Sequence, residues 1–168
     1  MTSAACCAAN PISGLAIGDF RLVFRDGVLV ALGGLWRQKD FKQTRVLAYQ
    51  PALAFLRPFW NLWARWRGGL RLPAAGGCLD YVMAHSPLCA PDDLPAFAAL
   101  LQALWGALRE QGGLALCMSL AGDDPRRAVL RDCRQHAITG QHYLATLPDA
   151  ALPALDESRI SYFECGRL

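Results

Sequence analysis

A helix with clear boundary signals lies between two short apolar segments in the middle of the chain. An aspartate N-cap favours a helix over 93–111, and Gly112-Gly113 ends it. The flanking segments, 78–85 and 114–120, are predicted strands, and the second is so continuously apolar that we expect it to be buried on both faces. A strand, a helix and another strand in this order favour parallel pairing of the two strands, so the chain is predicted to be an α/β protein.

Antiparallel pairing is predicted on either side of this parallel centre. Asp26-Gly27 is a tight-turn signal between an alternating segment that begins at Asp19 and a β-branched run that reaches about Trp36, a pattern typical of a β-hairpin. The further predicted elements are a strand over 41–49, a helix over 125–136, and two closing strands over 139–147 and 159–166. The predicted fold class is therefore α/β, with a mixed sheet that is parallel at its centre.

Length and composition favour one domain with much apolar surface. The chain has 168 residues, of which 54% are hydrophobic and 18% are charged, whereas soluble domains have about 25% charged residues. A large buried sheet explains this composition, and so does an apolar face that contacts a membrane, an acyl chain or another protein. Residues 1–18 are weakly patterned and predicted to be a loose arm, and 19–168 are predicted to form the domain.

The cysteines and the N-terminal residues indicate a compartment. None of the seven cysteines forms a Cys-x-x-Cys pair, so no metal site is predicted. Because the count is odd and Cys117 lies in an apolar strand pattern, the thiols are expected to be reduced and mostly buried. The N-terminus has no basic segment followed by an apolar core, and no apolar run reaches the roughly 18 residues of a membrane span. A cytoplasmic protein is the expectation.

Basic residues are concentrated in one part of the chain. Residues 35–75 contain eight basic residues and one acidic residue, whereas the net charge of the whole chain is only +3. That net charge is too small to predict a nucleic-acid partner. The basic block is interpreted either as a solvated face or as a site for an anionic partner such as phosphate or lipid headgroups.

The middle of this basic block, 51–67, is dense in aromatic residues and arginines. Pro51 favours a helix start, and Pro58 is expected to interrupt or kink the helix. The segment is interpreted either as a core helix or as an interfacial element that touches lipid headgroups or encloses an acyl chain. Because its arginines lack nearby acids, we expect partial exposure, with Arg57 and Trp60 as candidate contact residues.

A family resemblance rests on the segment that ends the hairpin. Gly33-Gly-Leu-Trp-Arg-Gln-Lys-Asp-Phe-Lys-Gln-Thr-Arg-Val, followed by Arg57-Pro-Phe-Trp-Asn, resembles the GNAT N-acyltransferase superfamily, from the second strand of that fold onward. The resemblance implies transfer of an acyl group from acyl-CoA, or a related thioester, to a small-molecule amine. It also makes Trp36, Lys42 and Gln43 candidate recognition residues.

The resemblance places the acyl-CoA pyrophosphate at the start of helix 93–111. The candidate cofactor-binding residues there are Ser86, Leu88, Asp93, Ala96 and Phe97. This stretch lacks the glycines of the family motif and adds two aspartates, so weak or absent acetyl-CoA binding is expected. The first strand and first helices of the fold do not fit into residues 1–18. An apolar surface is therefore expected to be exposed, with dimerisation or a partner domain as the consequence.

Candidate catalytic residues follow from chemistry and spacing. His85, at a predicted strand end, has the chemistry of a general base, or else of a hydrogen-bonded structural histidine. The family's proton-donating tyrosine falls near Cys133, which would share a helix face with His136, and Tyr143 is a possible substitute. Two hypotheses remain: an N-acyltransferase, or a non-catalytic module that contacts a partner protein or an anionic membrane through 35–67. The loop at 86–97 discriminates between them.

Overall fold

A four-stranded mixed sheet organises the part of the chain that the computed structural model describes, residues 14–40 and 42–141. The strands are β1 (Phe20–Arg25), β2 (Val28–Trp36), β3 (Val82–Cys89) and β4 (Leu116–Cys117), in the order β1-β2-β3-β4. The β1–β2 and β2–β3 pairs are antiparallel, and β3–β4 is parallel. The predicted α/β class, with a parallel pair and antiparallel flanks, is confirmed at this level.

The helices are α1 (Pro51–Arg67) and α2 (Leu94–Glu110), accompanied by short 3₁₀ helices at Ile17–Asp19 and Pro125–Leu130. The predicted hairpin is confirmed, because Asp26 and Gly27 both adopt positive φ (51° and 78°), as a tight turn between twisted strands requires. The predicted boundaries of α2 are confirmed as well. The carboxylate of Asp93 accepts from the Ala96 N–H at 3.1 Å, and Gly112 follows the helix with φ of 74°.

The main core lies between α2 and one face of the sheet. Phe97, Leu100, Leu104 and Leu108 are fully buried, and the last three pack against small and branched side chains of β2 and β3. Burial of each such side chain contributes about 1.5–3 kcal/mol. The far side of α2 is more open than its all-round apolar pattern predicts, since Trp105 is exposed.

The other face of the sheet is covered only in part. Leu15 packs on Trp36 and Met83 at one end, so part of the segment predicted to be a loose arm belongs to the core. Toward the hairpin this face is open. Leu22 pairs with Leu32, which pairs with Leu88, and these cross-strand neighbours form an apolar row in which Leu22 and Leu88 are exposed. Exposed apolar surface is thus present among the described residues, while its expected origin, in missing first elements of a GNAT fold, stays a prediction.

β3 starts and ends later than the predicted strand 78–85, and a bulge explains its later end. Ser86 and Pro87 together oppose Gly33 of β2, and Ser86 has a positive φ of 47°. A bulge lets a strand continue past a proline, because the extra residue needs no ladder hydrogen bond. The strand therefore runs on to Cys89, into the stretch predicted to be a phosphate loop.

Three other predicted elements differ from the structure. The strand over 41–49 is wrong: residues 42–50 form a single bridge, between Arg45 and Cys78, and Val46 donates to Gly77 across a loop. The strand over 114–120 is reduced to β4, and Cys117 is exposed rather than buried, because β3 is the one described strand that pairs with it.

The helix over 125–136 is a 3₁₀ helix that ends at Leu130, and the Asp124 carboxylate caps its start by accepting from the Arg126 N–H. Residues 131–141 form turns and coil. Of the predicted closing strands, 139–141 are therefore not strand, and 142–147 and 159–166 lie outside the described residues.

Candidate functional site

The most unusual surface of the described chain is the outward face of α1. This helix is continuous over 17 residues, so Pro58 does not interrupt it. Pro58 and Ala54 are both exposed, so water can satisfy the Ala54 carbonyl that lacks its helical donor. The helix ends at Gly68, which adopts the left-handed conformation with φ of 69°.

The inner side of α1 is joined to the following segment by side-chain hydrogen bonds. Ala64 is its one buried residue. The Trp60 indole donates to the Leu70 carbonyl at 3.1 Å, and the Asn61 amide both donates to and accepts from the Leu72 backbone at 2.8 Å. These bonds hold the extended segment that follows the helix against it.

The outer side of α1 carries large apolar side chains in contact with solvent. Phe55, Phe59, Leu62 and Trp66 are spaced by four, three and four residues, so they share one face; we call them the outer stripe. Their exposed fractions are 73%, 63%, 65% and 88%. A globular helix normally turns such a face toward the core. The predicted partial exposure of 51–67 is thus confirmed, and a contiguous exposed apolar face marks a site of interaction.

Arg65 and Arg67 flank the outer stripe, and no acidic residue occurs between positions 41 and 79. Within the described residues, Arg57, Arg65, Arg67 and Arg71 form no ion pair. Arg65 and Arg71 line one depression of about 290 Å³ together with Asn61 and Leu62. Of the two predicted contact residues, Trp60 lies at the inner edge of α1 and Arg57 is half-buried.

The predicted recognition residues Lys42 and Gln43 line a second cavity, of about 190 Å³. The Gln43 amide donates to the Lys39 carbonyl at 2.9 Å and accepts from the Cys78 thiol at 3.2 Å. Trp36, the third of these residues, is buried against Met83 and does not line this cavity.

The start of α2, where the resemblance places a pyrophosphate, has its amides occupied. Leu94 donates to the Asp92 carbonyl, Pro95 has no N–H, and Ala96 donates to the Asp93 carboxylate. Phe97 donates to the Asp93 carbonyl. An anion site at a helix start needs such N–H groups to point at the ligand. Here oxygen atoms of Asp92 and Asp93 already accept hydrogen bonds from all of them.

The cations near this helix start are also paired. Arg25 makes a two-bond contact with Asp93 at 2.9 and 3.0 Å. The hydrogen bond from Arg25 holds the pKa of Asp93 below its ordinary value. Of the other predicted cofactor residues, Ala96 and Phe97 are buried in the core, and Leu88 lies on the open face of the sheet.

A buried ion pair, between Asp124 and Arg126, lies on the other side of the start of α2. Arg126 contacts both carboxylate oxygens of Asp124, with a shortest distance of 2.6 Å, and donates to the Pro87 carbonyl at 3.3 Å. Its guanidinium lies 5.4 Å from the centre of the Phe97 ring. Burial by itself raises the pKa of Asp124, but the bonds and charge of Arg126 outweigh burial and hold that pKa below its ordinary value. Burial also raises the pKa of the neighbouring Cys89 thiol.

The candidate catalytic residues are not assembled as predicted. His85 is buried within β3, 5.3 Å from the Trp36 ring centre, with Nε2 3.3 Å from the Ser86 hydroxyl. Cys133 and His136 share no helix face, because both are exposed in the turn and coil that follow the second 3₁₀ helix. Tyr143 lies outside the described residues.

No cluster of metal-ligating side chains occurs in 14–40 and 42–141. Over the same residues, neither helix is long and apolar enough to cross a membrane. Comparisons of the chain with family models, curated proteins and solved structures give no match. The GNAT resemblance, acyl-CoA as co-substrate and the cytoplasmic location stay predictions.

Sequence reasoning missed two features of these sites. The pairing of Arg25 with Asp93 joins residues 68 positions apart, and no local pattern signals it. The convergence of Arg65 and Arg71 depends on the turn at Gly68. A glycine pair after an aromatic helix was the available signal, but it indicated only where the helix ends.

Proposed function

We propose that this protein is a non-catalytic module that binds anionic membrane surfaces through α1. The observation that carries the proposal is the outer stripe: four large apolar side chains exposed on one face of a helix. The arginines around the stripe lack carboxylate partners among the described residues. An apolar face with cationic flanks is the chemistry of helices that lie in the headgroup layer of a bilayer.

Charge favours a membrane over a protein partner as the occupant of this face. Each arginine near an anionic bilayer contributes about 1 kcal/mol of attraction, and the 41–79 stretch has no acid to oppose that attraction. Trp66, the most exposed member of the stripe, has the amphipathic ring that prefers the membrane interface. The stripe therefore has both components of interfacial binding, apolar area and positive charge.

Acyl transfer from acyl-CoA has less support. The first amides of α2 are occupied by the chain's own oxygens, and Arg25 and Arg126 are paired with Asp93 and Asp124. A pyrophosphate there would have to displace two carboxylates. We therefore favour the binding module over the enzyme.

Vesicle co-sedimentation tests the proposal. We expect the protein to sediment with vesicles containing phosphatidylserine, to bind phosphatidylcholine vesicles weakly, and to dissociate as salt is raised. Phe59→Ser and Trp66→Ser should abolish sedimentation without lowering the melting temperature, because both side chains are already exposed. Trp105→Ser, which changes an exposed tryptophan on α2, is the matched control and should bind as the parent does.

Two outcomes would overturn the proposal. One is no sedimentation with either lipid, combined with unfolding of Trp60→Ala and Trp63→Ala, which would make α1 a core element. The other is sedimentation that depends neither on lipid charge nor on salt concentration. That result would indicate a general apolar contact, and a protein partner would then be the expected occupant of the outer stripe.

A further inference from the structure

The chain reverses direction after α1 and places a second arginine beside the helix. Gly68 adopts the left-handed conformation at the helix end. The Leu70 carbonyl then accepts from Trp60, and the Leu72 backbone is bonded twice to the Asn61 amide. Because the residues on both sides of Arg71 are tied to α1, the position of Arg71 along the helix is set by the fold.

This reversal brings Arg71 and Arg65 to the same surface depression. Its volume is about 290 Å³, and its other lining residues are Asn61 and Leu62. Leu62 belongs to the outer stripe, so the depression opens at the edge of the apolar face. The Asn61 amide is hydrogen-bonded to the Leu72 backbone. The two guanidiniums are therefore the charged groups of the depression.

Two like charges that line one depression repel each other unless an anion lies between them. Among the described residues neither Arg65 nor Arg71 forms an ion pair. A guanidinium presents a planar fork of donors that matches phosphate oxygens in a two-bond geometry. A phosphate monoester, which carries close to two negative charges at neutral pH, matches two guanidiniums in charge.

We infer that the Arg65–Arg71 depression binds the phosphate monoester headgroup of a membrane lipid, an inference that rests on the proposed membrane function. With a headgroup phosphate between the two arginines, the acyl chains of the lipid lie toward Leu62 and the rest of the outer stripe. The site then gives α1 a preference for one class of anionic lipid, beyond a general attraction to negative charge.

Vesicles of phosphatidic acid and of phosphatidylserine, adjusted to equal surface potential, separate these two effects. The parent protein should bind phosphatidic acid vesicles about tenfold more tightly, a difference in the range of charge-assisted hydrogen bonds. Arg71→Gln and Arg65→Gln should each remove this preference. Arg71→Lys should retain salt-dependent binding to both lipids but lose most of the preference, since an ammonium lacks the two-bond fork. Arg67→Gln, an exposed arginine on the same helix outside the depression, should keep the preference.

A second measurement distinguishes failure of this inference from failure of the proposed function. Arginine side-chain NMR signals are followed as inorganic phosphate is added, with sodium chloride at equal ionic strength as the reference. Vesicle binding with equal affinity for the two lipids, or with the preference intact in Arg71→Gln, overturns the headgroup site and leaves the membrane function standing. Absence of vesicle binding overturns the lipid as ligand, and saturable shifts at Arg65 and Arg71 would then identify a site for free phosphate. Absence of both responses overturns both proposals.

Discussion

At the scale of single residues, two aspartate–arginine pairs secure the start of α2 in different environments. The Arg25–Asp93 pair is solvent-exposed, with half of the arginine side chain accessible, whereas the Asp124–Arg126 pair is almost completely buried. Exposed pairs contribute little to stability, whereas loss of one partner of a buried pair leaves an uncompensated charge in the interior. The buried pair is therefore where a single substitution has its largest electrostatic effect.

Asp124→Asn should lower the free energy of unfolding by about 3–5 kcal/mol, because Arg126 would remain buried without its counter-charge. Urea denaturation followed by circular dichroism measures the change. Asp123→Asn, one position earlier and exposed, is the control and should stay within about 0.5 kcal/mol of the parent protein. Equal stability of the two variants would show that the buried pair does not form in solution.

The same carboxylate should make stability depend on acid. The pKa of Asp124 is below its ordinary value of 3.8 in the folded protein, so folding is favoured by its ionised form. That contribution is fully present above the ordinary pKa and is lost as the pH falls through the lowered, folded-state pKa. Between pH 6 and about pH 2, the free energy of unfolding should fall more steeply in the parent protein than in Asp124→Asn. Parallel curves would contradict the assignment.

At the scale of elements, α1 and the segment behind it depend on the turn at Gly68. An alanine there would have to adopt φ of +69°, and its Cβ would approach the Arg109 guanidinium at 2.9 Å. Gly68→Ala should therefore destabilise this element by about 1–2 kcal/mol and weaken vesicle binding, because Arg71 is no longer held beside Arg65.

Gly106→Ala is the matched control for this turn. Gly106 lies inside α2 with nothing within 4 Å of an added Cβ, so alanine should raise stability by about 0.5–1 kcal/mol. Hydrogen exchange of amides in 60–72 reports on the element itself. Unchanged exchange in Gly68→Ala would mean that the turn does not secure the segment.

The α2 element yields a prediction about the cofactor. Calorimetric titration with acetyl-CoA and with a long-chain acyl-CoA should detect no binding in the low micromolar range, because the first amides of α2 and both neighbouring arginines are occupied. Introducing a glycine at Phe97 would not create this site, because Phe97 is fully buried and its loss should cost about 3–5 kcal/mol of folding stability. Low-micromolar binding of either thioester would restore the acyltransferase hypothesis.

At the scale of the whole molecule, one face of the sheet is covered by α2 and the other is apolar and partly open. Phe24 is 59% exposed and Leu22 is 53% exposed on β1, which is the first strand of the sheet order. Open apolar sheet surface is a template for association.

The isolated chain should consequently self-associate as its concentration rises, measured by light scattering and by a dye that binds apolar surface. Phe24→Thr should reduce both signals, because threonine keeps the strand propensity but removes the apolar area. Ile138→Thr removes an even more exposed apolar residue from a coil segment and should change neither signal. Monomeric behaviour of the parent protein, without dye binding, would contradict the prediction.

The features that the sequence predicts correctly share a local cause. The hairpin follows from two turn residues that tolerate positive φ, and the cap of α2 follows from the Asp93 carboxylate, which accepts a nearby backbone N–H group. The wrong predictions concern partners that are distant in sequence. The bulge at Ser86 carries β3 past Pro87 to Cys89, and the predicted 41–49 strand is a loop bonded to residues 76–79.

By itself, the sequence determined the α/β class, the limits of α2 and the aromatic, arginine-rich nature of α1, because these depend on residue type and spacing within a few turns of chain. Only the tertiary structure decided which way α1 faces, since the same spacing suits a core helix or an exposed one. It also decided that Arg25 pairs with Asp93 and Arg126 with Asp124 near the start of α2. The tertiary structure likewise places Arg71 at the same depression as Arg65. Each of these outcomes depends on contacts between segments, and a pattern read along one segment cannot specify which other segment it will meet.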